Sequence, residues 1–88
     1  MKLLFTAKFL KQVSKLKNKK LAAEIFEAIG EAERAAILQD INNIKKLAGH
    51  KFYYRIRIGD YRIGLYFNKD VLEFTAFDHR KDIYKHFP

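Results

Sequence analysis

Two hydrophobic periods divide the chain. In the first half, apolar residues recur every three or four positions, the spacing of a helix that buries one face. In the second half they alternate with polar residues, the spacing of a strand with one face against a core. Lys2 to Phe5 reads as a short strand, and Thr6 is placed to cap a helix, its hydroxyl accepting from an amide of the first turn. Phe9, Leu10, Val13 and Leu16 form one helical stripe, with Lys8, Lys11 and Lys15 off it, and Asn18 marks a break. A second helix carries Leu21, Ile25, Ala28, Ile29 and Ala32 on one side, with Gly30 as its weak point. Ile37, Ile41, Ile44 and Leu47 continue a helical or near-helical period, and Gly49 ends the helical half.

From residue 52 the chain reads Phe-Tyr-Tyr-Arg-Ile-Arg-Ile, then Gly59-Asp60, then Tyr-Arg-Ile-Gly-Leu-Tyr-Phe. Gly-Asp between alternating runs signals a two-residue hairpin. A turn there sets Ile58 opposite Tyr61, Ile56 opposite Ile63, Tyr54 opposite Leu65 and Phe52 opposite Phe67, all on one face. That face is the expected core, under the helices. The other face gathers Tyr53, Arg55, Arg57, Arg62, Gly64 and Tyr66, with Arg57 opposite Arg62. A second turn at Lys69-Asp70 brings in a strand from Val71 to Phe77. It adds Leu72, Phe74 and Ala76 to the core, and Glu73, Thr75 and Phe77 to the basic face, with Phe77 beside Arg62. His79 joins that face if the strand continues. Residues 79–87 predict a short C-terminal helix, anchored by Ile83 and Phe87. The order β-α-α-β-β-β-α predicts one α+β domain over residues 1–88: two N-terminal helices packed on one face of a mainly antiparallel four-stranded sheet, with a short C-terminal helix.

Charge turns this fold into a functional question. Lys and Arg number 18 against 10 Asp and Glu, a formal net charge of +8, and 49% of residues are apolar. That apolar content excludes a disordered basic tail, and the charge points to an anionic partner. Two blocks carry it: an N-terminal block of Lys alone, and a second block, residues 45–67, that is interleaved with aromatics. Like charges opposite each other on a sheet are destabilising. A basic face that serves solubility alone has no need of Arg57 opposite Arg62. Three guanidiniums offer planar forks suited to phosphate, and Tyr53, Tyr66 and Phe77 offer surfaces for unpaired bases to stack. The footprint is that of RNA or of another single-stranded nucleic acid.

Other chemistries drop away. Cys is absent, which excludes a disulfide scaffold and a Cys-based zinc site. His50, His79 and His86 lack the i, i+4 spacing of a helical metal pair, so neither metal nor cofactor is expected. There is no Gly-rich phosphate loop, Ser-based triad or paired-acid motif. No run approaches the roughly 20 apolar residues of a membrane span, and Leu3-Leu4-Phe5 is too short for a signal-peptide core. A cytoplasmic protein with no membrane partner is expected.

The segments KKLAGHKFYYRIRIGDYRIGLYF and AFDHRKDIY resemble the RelE/ParE superfamily of toxin–antitoxin toxins. The resemblance covers nearly the whole chain and implies a fold of two helices on an antiparallel sheet. Its RelE branch cleaves mRNA in the ribosomal A site without metal, the ribose 2′-hydroxyl attacking the adjacent phosphate. The resemblance therefore implies a metal-independent endoribonuclease that inhibits translation, with mRNA and the ribosome as partners. It also implies a cognate antitoxin, which would hold the toxin in a hetero-oligomer. The alternatives are a non-enzymatic ParE-like DNA gyrase poison and a degenerate RNA-binding homologue. Carried over by position, the branch's basic strand residues are Arg55, Arg57 and Arg62, and its C-terminal pair is Arg80 and Tyr84. The branch has Lys where this chain has Arg55 and Arg57. Arginine stays protonated and does not readily accept a proton, so the expectation for a general base falls on His79, whose ordinary pKa lies near neutrality. The expected site thus comprises Arg62, His79, Arg80 and Tyr84 in catalysis, and Arg55, Arg57, Tyr53, Tyr66 and Phe77 in RNA binding.

Overall fold

Thr6 and Asn18 set the helical half. β1 (Lys2–Phe5) ends at Thr6, whose hydroxyl accepts from the Phe9 amide at 3.1 Å and so caps α1 (Ala7–Ser14). The same hydroxyl donates to the Thr75 carbonyl at 3.0 Å, tying the start of α1 to a strand near the other end of the chain. Asn18 caps α2 (Lys19–Arg34) through the Leu21 amide at 3.0 Å. Four further strands follow: β2 (Ile44–Lys46), β3 (Tyr53–Ile58), β4 (Tyr61–Asn68) and β5 (Val71–His79). The computed structural model describes all 88 residues and joins the strands in one five-stranded sheet, ordered β1-β5-β4-β3-β2. β1 runs parallel to β5, and the other neighbours are antiparallel.

The β3–β4 register is the one the alternation predicts, with Ile56 opposite Ile63 and Arg57 opposite Arg62. Gly59 supplies the positive φ of 57° that the turn requires. Phe9, Leu21, Ile25 and Ala32 of the helices pack on Ile56, Ile63, Leu65, Leu72 and Phe74 of the sheet. Each of the larger side chains contributes about 1.5–3 kcal/mol on burial, so this face holds the domain together.

Three expectations need correction. First, the sheet has five strands, not four, because residues 37–47 do not form a third helical segment. α2 stops at Ala35, whose backbone is extended, and only a short 3-10 turn, Leu38–Asp40, follows. Asp40 Oδ2 accepts from the Ala36 and Ile37 amides, Glu31 accepts from the Asn42 amide, and Asn43 takes a positive φ of 63°. Short polar side chains thus offer the backbone bonds that compete with a helix, and the chain leaves Asn43 as strand β2.

Second, the β4–β5 register slips by one residue beyond Leu65 and Phe74, at a bulge at Thr75. Beyond it Ile63 faces Phe77, Arg62 faces Asp78 and Tyr61 faces His79. A one-residue slip exchanges faces. Phe77 therefore goes into the helix-side core at 4% exposure, and its ring stacks on Tyr61 at 5.3 Å, rather than joining the basic face. Ala76 turns outward, away from Leu72 and Phe74, and His79 follows Phe77 to the helix side. The Phe77 amide is taken up by Gln12 Oε1 of α1 at 2.9 Å.

Third, the C-terminal helix is a single 3-10 turn, Ile83–Lys85. Ile83 and Phe87 are buried, not against the main core but in a second cluster with Ala76 on the outer face of the sheet. The last eight residues form a strap across that face. The Phe87 ring lies over Gly64, where an added Cβ would come within 2.8 Å of three ring carbons.

Candidate functional site

The strap divides the outer face into two concavities. On one side is a cleft of about 390 Å³, lined by Lys45, Lys46, Leu47, Ala48, Arg55, Arg62, Arg80 and Tyr84. Four elements build it. β3 and β4 present Arg55 and Arg62, the turn after β5 brings Arg80, the strap brings Tyr84, and β2 with its following loop closes the side with Lys45 and Lys46.

The arginines are held from behind. Arg62 Nη1 donates to the carbonyls of Gly59 and Tyr61, both at 2.9 Å, which braces the guanidinium against its own hairpin. Arg55 Nη1 donates to the Asn43 carbonyl at 2.8 Å. The Arg80 amide donates to the Asp60 carbonyl at 2.7 Å, and its Nε lies 3.8 Å from the Asp60 carboxylate at the exposed rim. No carboxylate or imidazole lines the cleft. Arg62 accordingly has a pKa below the ordinary arginine value. Burial is the first cause, repulsion from Arg55, Arg57 and Arg80 adds to it, and the Tyr84 phenol pulls the other way. Such a cage is short of negative charge, and its preset donors suit an oxyanion such as a phosphodiester.

Of the residues the sequence singled out, Arg55, Arg62, Arg80 and Tyr84 meet in this cleft. Arg57 stands exposed beside it, toward the hairpin turn, and bears on Arg62 through charge. Tyr53 and Tyr66 share the face but lie across the strap, with their rings 5.2 Å apart and Tyr53 5.6 Å from Phe87. They line the second concavity, about 460 Å³, with Lys8, Glu73, Thr75 and His86. Phe77 and His79 are not on this face. The His79 ring packs edge-on against Tyr61 at 5.3 Å, and its Nδ1 accepts from the Lys81 amide at 3.1 Å.

Lys45 and Lys46 were missed as site residues because residues 37–47 read as helix. The signal was present: a short Ile44-Lys45-Lys46-Leu47 run, a turn at Gly49, then the alternating β3. Asp78 was missed because only the bulge sets it opposite Arg62.

No protein-family model matches the chain. It is 39% identical over 89 residues to the Toxin RelE3 of Methanocaldococcus jannaschii, with all of both chains covered. Its fold superposes on a chain of the RelB-RelE antitoxin-toxin complex from Methanococcus jannaschii with a TM-score of 0.79 and 37% identity, over 97% of this chain and 99% of that one. A chain of the archaeal RelE-RelB complex from Pyrococcus horikoshii OT3 matches with a TM-score of 0.72 at 22% identity, over 90% and 93% of the two chains, which shows the fold alone.

Proposed function

The chain belongs to the RelE family of toxins, and from that premise we propose that it is the toxin of a type II toxin–antitoxin pair which cleaves mRNA on the ribosome. The observation that carries this reading is the convergence of Arg55, Arg62, Arg80 and Tyr84 on one cleft free of carboxylates. In the proposed reaction a ribose 2′-hydroxyl attacks the adjacent phosphorus and the bond to the 5′ oxygen breaks. The products are a cyclic phosphate and a 5′-hydroxyl. Arg55 and Arg62 neutralise charge growing on the phosphoryl oxygens, and Arg80 closes the cage from the rim. Tyr84, 53% exposed at the mouth, stacks on a base or orients the ribose. Proton exchange is with solvent, since no imidazole lines the cleft. His79 is withdrawn as the base and Phe77 as a stacking surface, because both face the helices.

The reading places the protein in the cytoplasm, with the ribosome. No helix is long and apolar enough to cross a membrane. The two solved structures described above are complexes of RelE with RelB, and a cognate antitoxin is the proposed partner here. An acidic or amphipathic antitoxin segment over the arginine cleft would neutralise its charge.

The test is expression in a cell-free translation system with mRNA ends mapped by primer extension. New ends within translated codons are expected. Intact mRNA, with gyrase-linked DNA damage in cells, would select a ParE-like poison instead.

A further inference from the structure

Tyr84 sits on a one-turn 3-10 segment, and a turn that short has little stability of its own. Its place over the arginines therefore depends on what holds the strap on either side. Before it, Ile83 is fully buried; after it, Phe87 is seated on Gly64. Between Tyr84 and Phe87 there is also a polar fixture. His86 Nε2 lies 2.8 Å from Asp78 Oδ2, and His86 Nδ1 lies 2.9 Å from Lys8 Nζ. An ammonium only donates. Nδ1 is thus the acceptor from Lys8, and Nε2 carries the hydrogen that Asp78 accepts. One imidazole joins the strap to β5 and to α1 at once. The other Asp78 oxygen, Oδ1, accepts from the His79 amide at 2.8 Å, which fixes the carboxylate's orientation. Neither Lys8 nor His86 lines the arginine cleft; both lie on the far side of the strap.

We propose that Lys8, His86 and Asp78 form a clasp that positions Tyr84 over the arginine cleft, with Lys8 and His86 acting as positioning residues outside that cleft. The inference rests on the reading of that cleft as the cleavage site. The two apolar anchors fix how deeply the strap lies on the sheet, and the clasp fixes its lateral place. A small lateral shift of a residue that orients a reacting group is enough to lower the rate without weakening binding.

The test uses the full chain with Lys8→Met, which keeps the stem and removes the donor, together with Lys8→Arg and His86→Ala. Amide hydrogen exchange of Lys85 and His86, whose amides donate within the strap turn, reads the clasp without any activity. Single-turnover cleavage of ribosome-bound mRNA, and ribosome affinity, read its consequence. Lys8→Met and His86→Ala are expected to raise exchange at these amides about tenfold and to cut the cleavage rate about tenfold at unchanged affinity. Adding Lys8→Met to Tyr84→Ala is expected to lower the rate no further, and Lys8→Arg to restore both readouts. Unchanged exchange overturns the clasp, and loosened amides with unchanged cleavage overturn its positioning role. If the unaltered chain makes no cleavage, the reading of the cleft falls and takes the positioning role with it, while exchange still decides whether the clasp holds the strap.

Discussion

Gly64→Ala is a substitution whose sign should depend on a residue far along the chain. Gly64 lies inside β4 without a positive φ, so alanine there ordinarily stabilises by about 0.5–1 kcal/mol, through lower chain entropy and better strand packing. In this protein the new Cβ would stand 2.8 Å from three carbons of the Phe87 ring. Ordinary contact begins near 3.5 Å, so the ring must move by more than half an ångström. Phe87 is only 4% exposed and is wedged with Ala76 and Ile83, which leaves it no free direction except off the sheet. Overpacking of this kind costs about 1–3 kcal/mol. The net effect in the normal background is destabilisation by about 1–2 kcal/mol. In a Phe87→Ala background the obstacle is gone and Gly64→Ala should stabilise by about 0.5 kcal/mol. Urea denaturation of the four proteins in the cycle gives both numbers at constant m-value. The same sign in both backgrounds would refute the placement of the strap on the outer face.

Four further outcomes follow from the site and its surroundings. Arg62→Ala should lower mRNA cleavage by about tenfold to a thousandfold, the range for losing one charge-stabilising donor, as read by primer extension under single-turnover conditions; an unchanged rate would remove Arg62 from the site. His79→Ala should leave that rate and its pH profile near those of the unaltered chain, whereas Phe77→Ala should destabilise by about 3–5 kcal/mol as a core truncation, measured by thermal melting; a lost inflection near neutral pH in His79→Ala would return His79 to catalysis. Burial alone would raise the Asp78 carboxyl, but hydrogen bonds from the His86 ring and the His79 amide outweigh it and hold the group below its usual range. A carboxyl lowered on folding stabilises the protein above the unfolded value, about 3.9, and that stabilisation disappears as pH falls through the lower folded value. Because the pair is about a third exposed, with side chains at 29% and 34%, the contribution is about 0.5–1 kcal/mol. Asp78→Asn should therefore unfold at lower urea than the unaltered chain at pH 7 and match it in strong acid; an equal deficit at both would refute the linkage.

The first hairpin was legible because two independent rules agree on it: Gly-Asp sets the turn, and strict alternation sets the faces. With the turn at Gly59-Asp60, every pair from Tyr53 to Tyr66 follows. That one register placed Arg55, Arg57, Arg62, Tyr53 and Tyr66 on their true face. The second hairpin began as well, with Asn68 paired to Val71 across Lys69-Asp70. It then departed at Thr75, which reads as an ordinary strand residue. The bulge depends on Thr6 and Gln12, whose side chains take up the Thr75 carbonyl and the Phe77 amide. Those contacts span more than sixty residues and leave no local periodic trace. Residues 37–47 were misread for a different reason. Apolar spacings of three and four suit a helix on paper, but the Asp40 and Glu31 carboxylates take up backbone amides there and Asn43 adopts a positive φ, which turns the backbone out of it. Arg80 and Tyr84, paired by the resemblance, share no helix face, because the segment forms only a 3-10 turn. They meet all the same, because the strap is held by Ile83 and Phe87 and not by its own backbone ladder.

The like-charge pair that first marked the sheet gains meaning from this geometry. Arg57 and Arg62 oppose each other, and Arg55 and Arg80 add to the same field, so the folded chain holds like-charge repulsion around Arg62. Asp78, opposite Arg62, turns to His86, and Asp60 reaches only the rim at Arg80. A domain of this size has a net stability of about 5–10 kcal/mol, so such a cluster persists only where the core on the other face outweighs it. The sheet meets that condition by division. Its helix side carries the main core, to which the bulge adds Phe77, while the outer side keeps only a small apolar cluster under the strap. The strap's anchors in that cluster hold Tyr84 beside the arginines. The bulge therefore serves both faces: it sends Phe77 inward to strengthen the core, and it turns Ala76 outward to seat Ile83 and Phe87. Without the slip at Thr75 a phenylalanine would stand beside Arg62, and the strap would lose the alanine on which it rests.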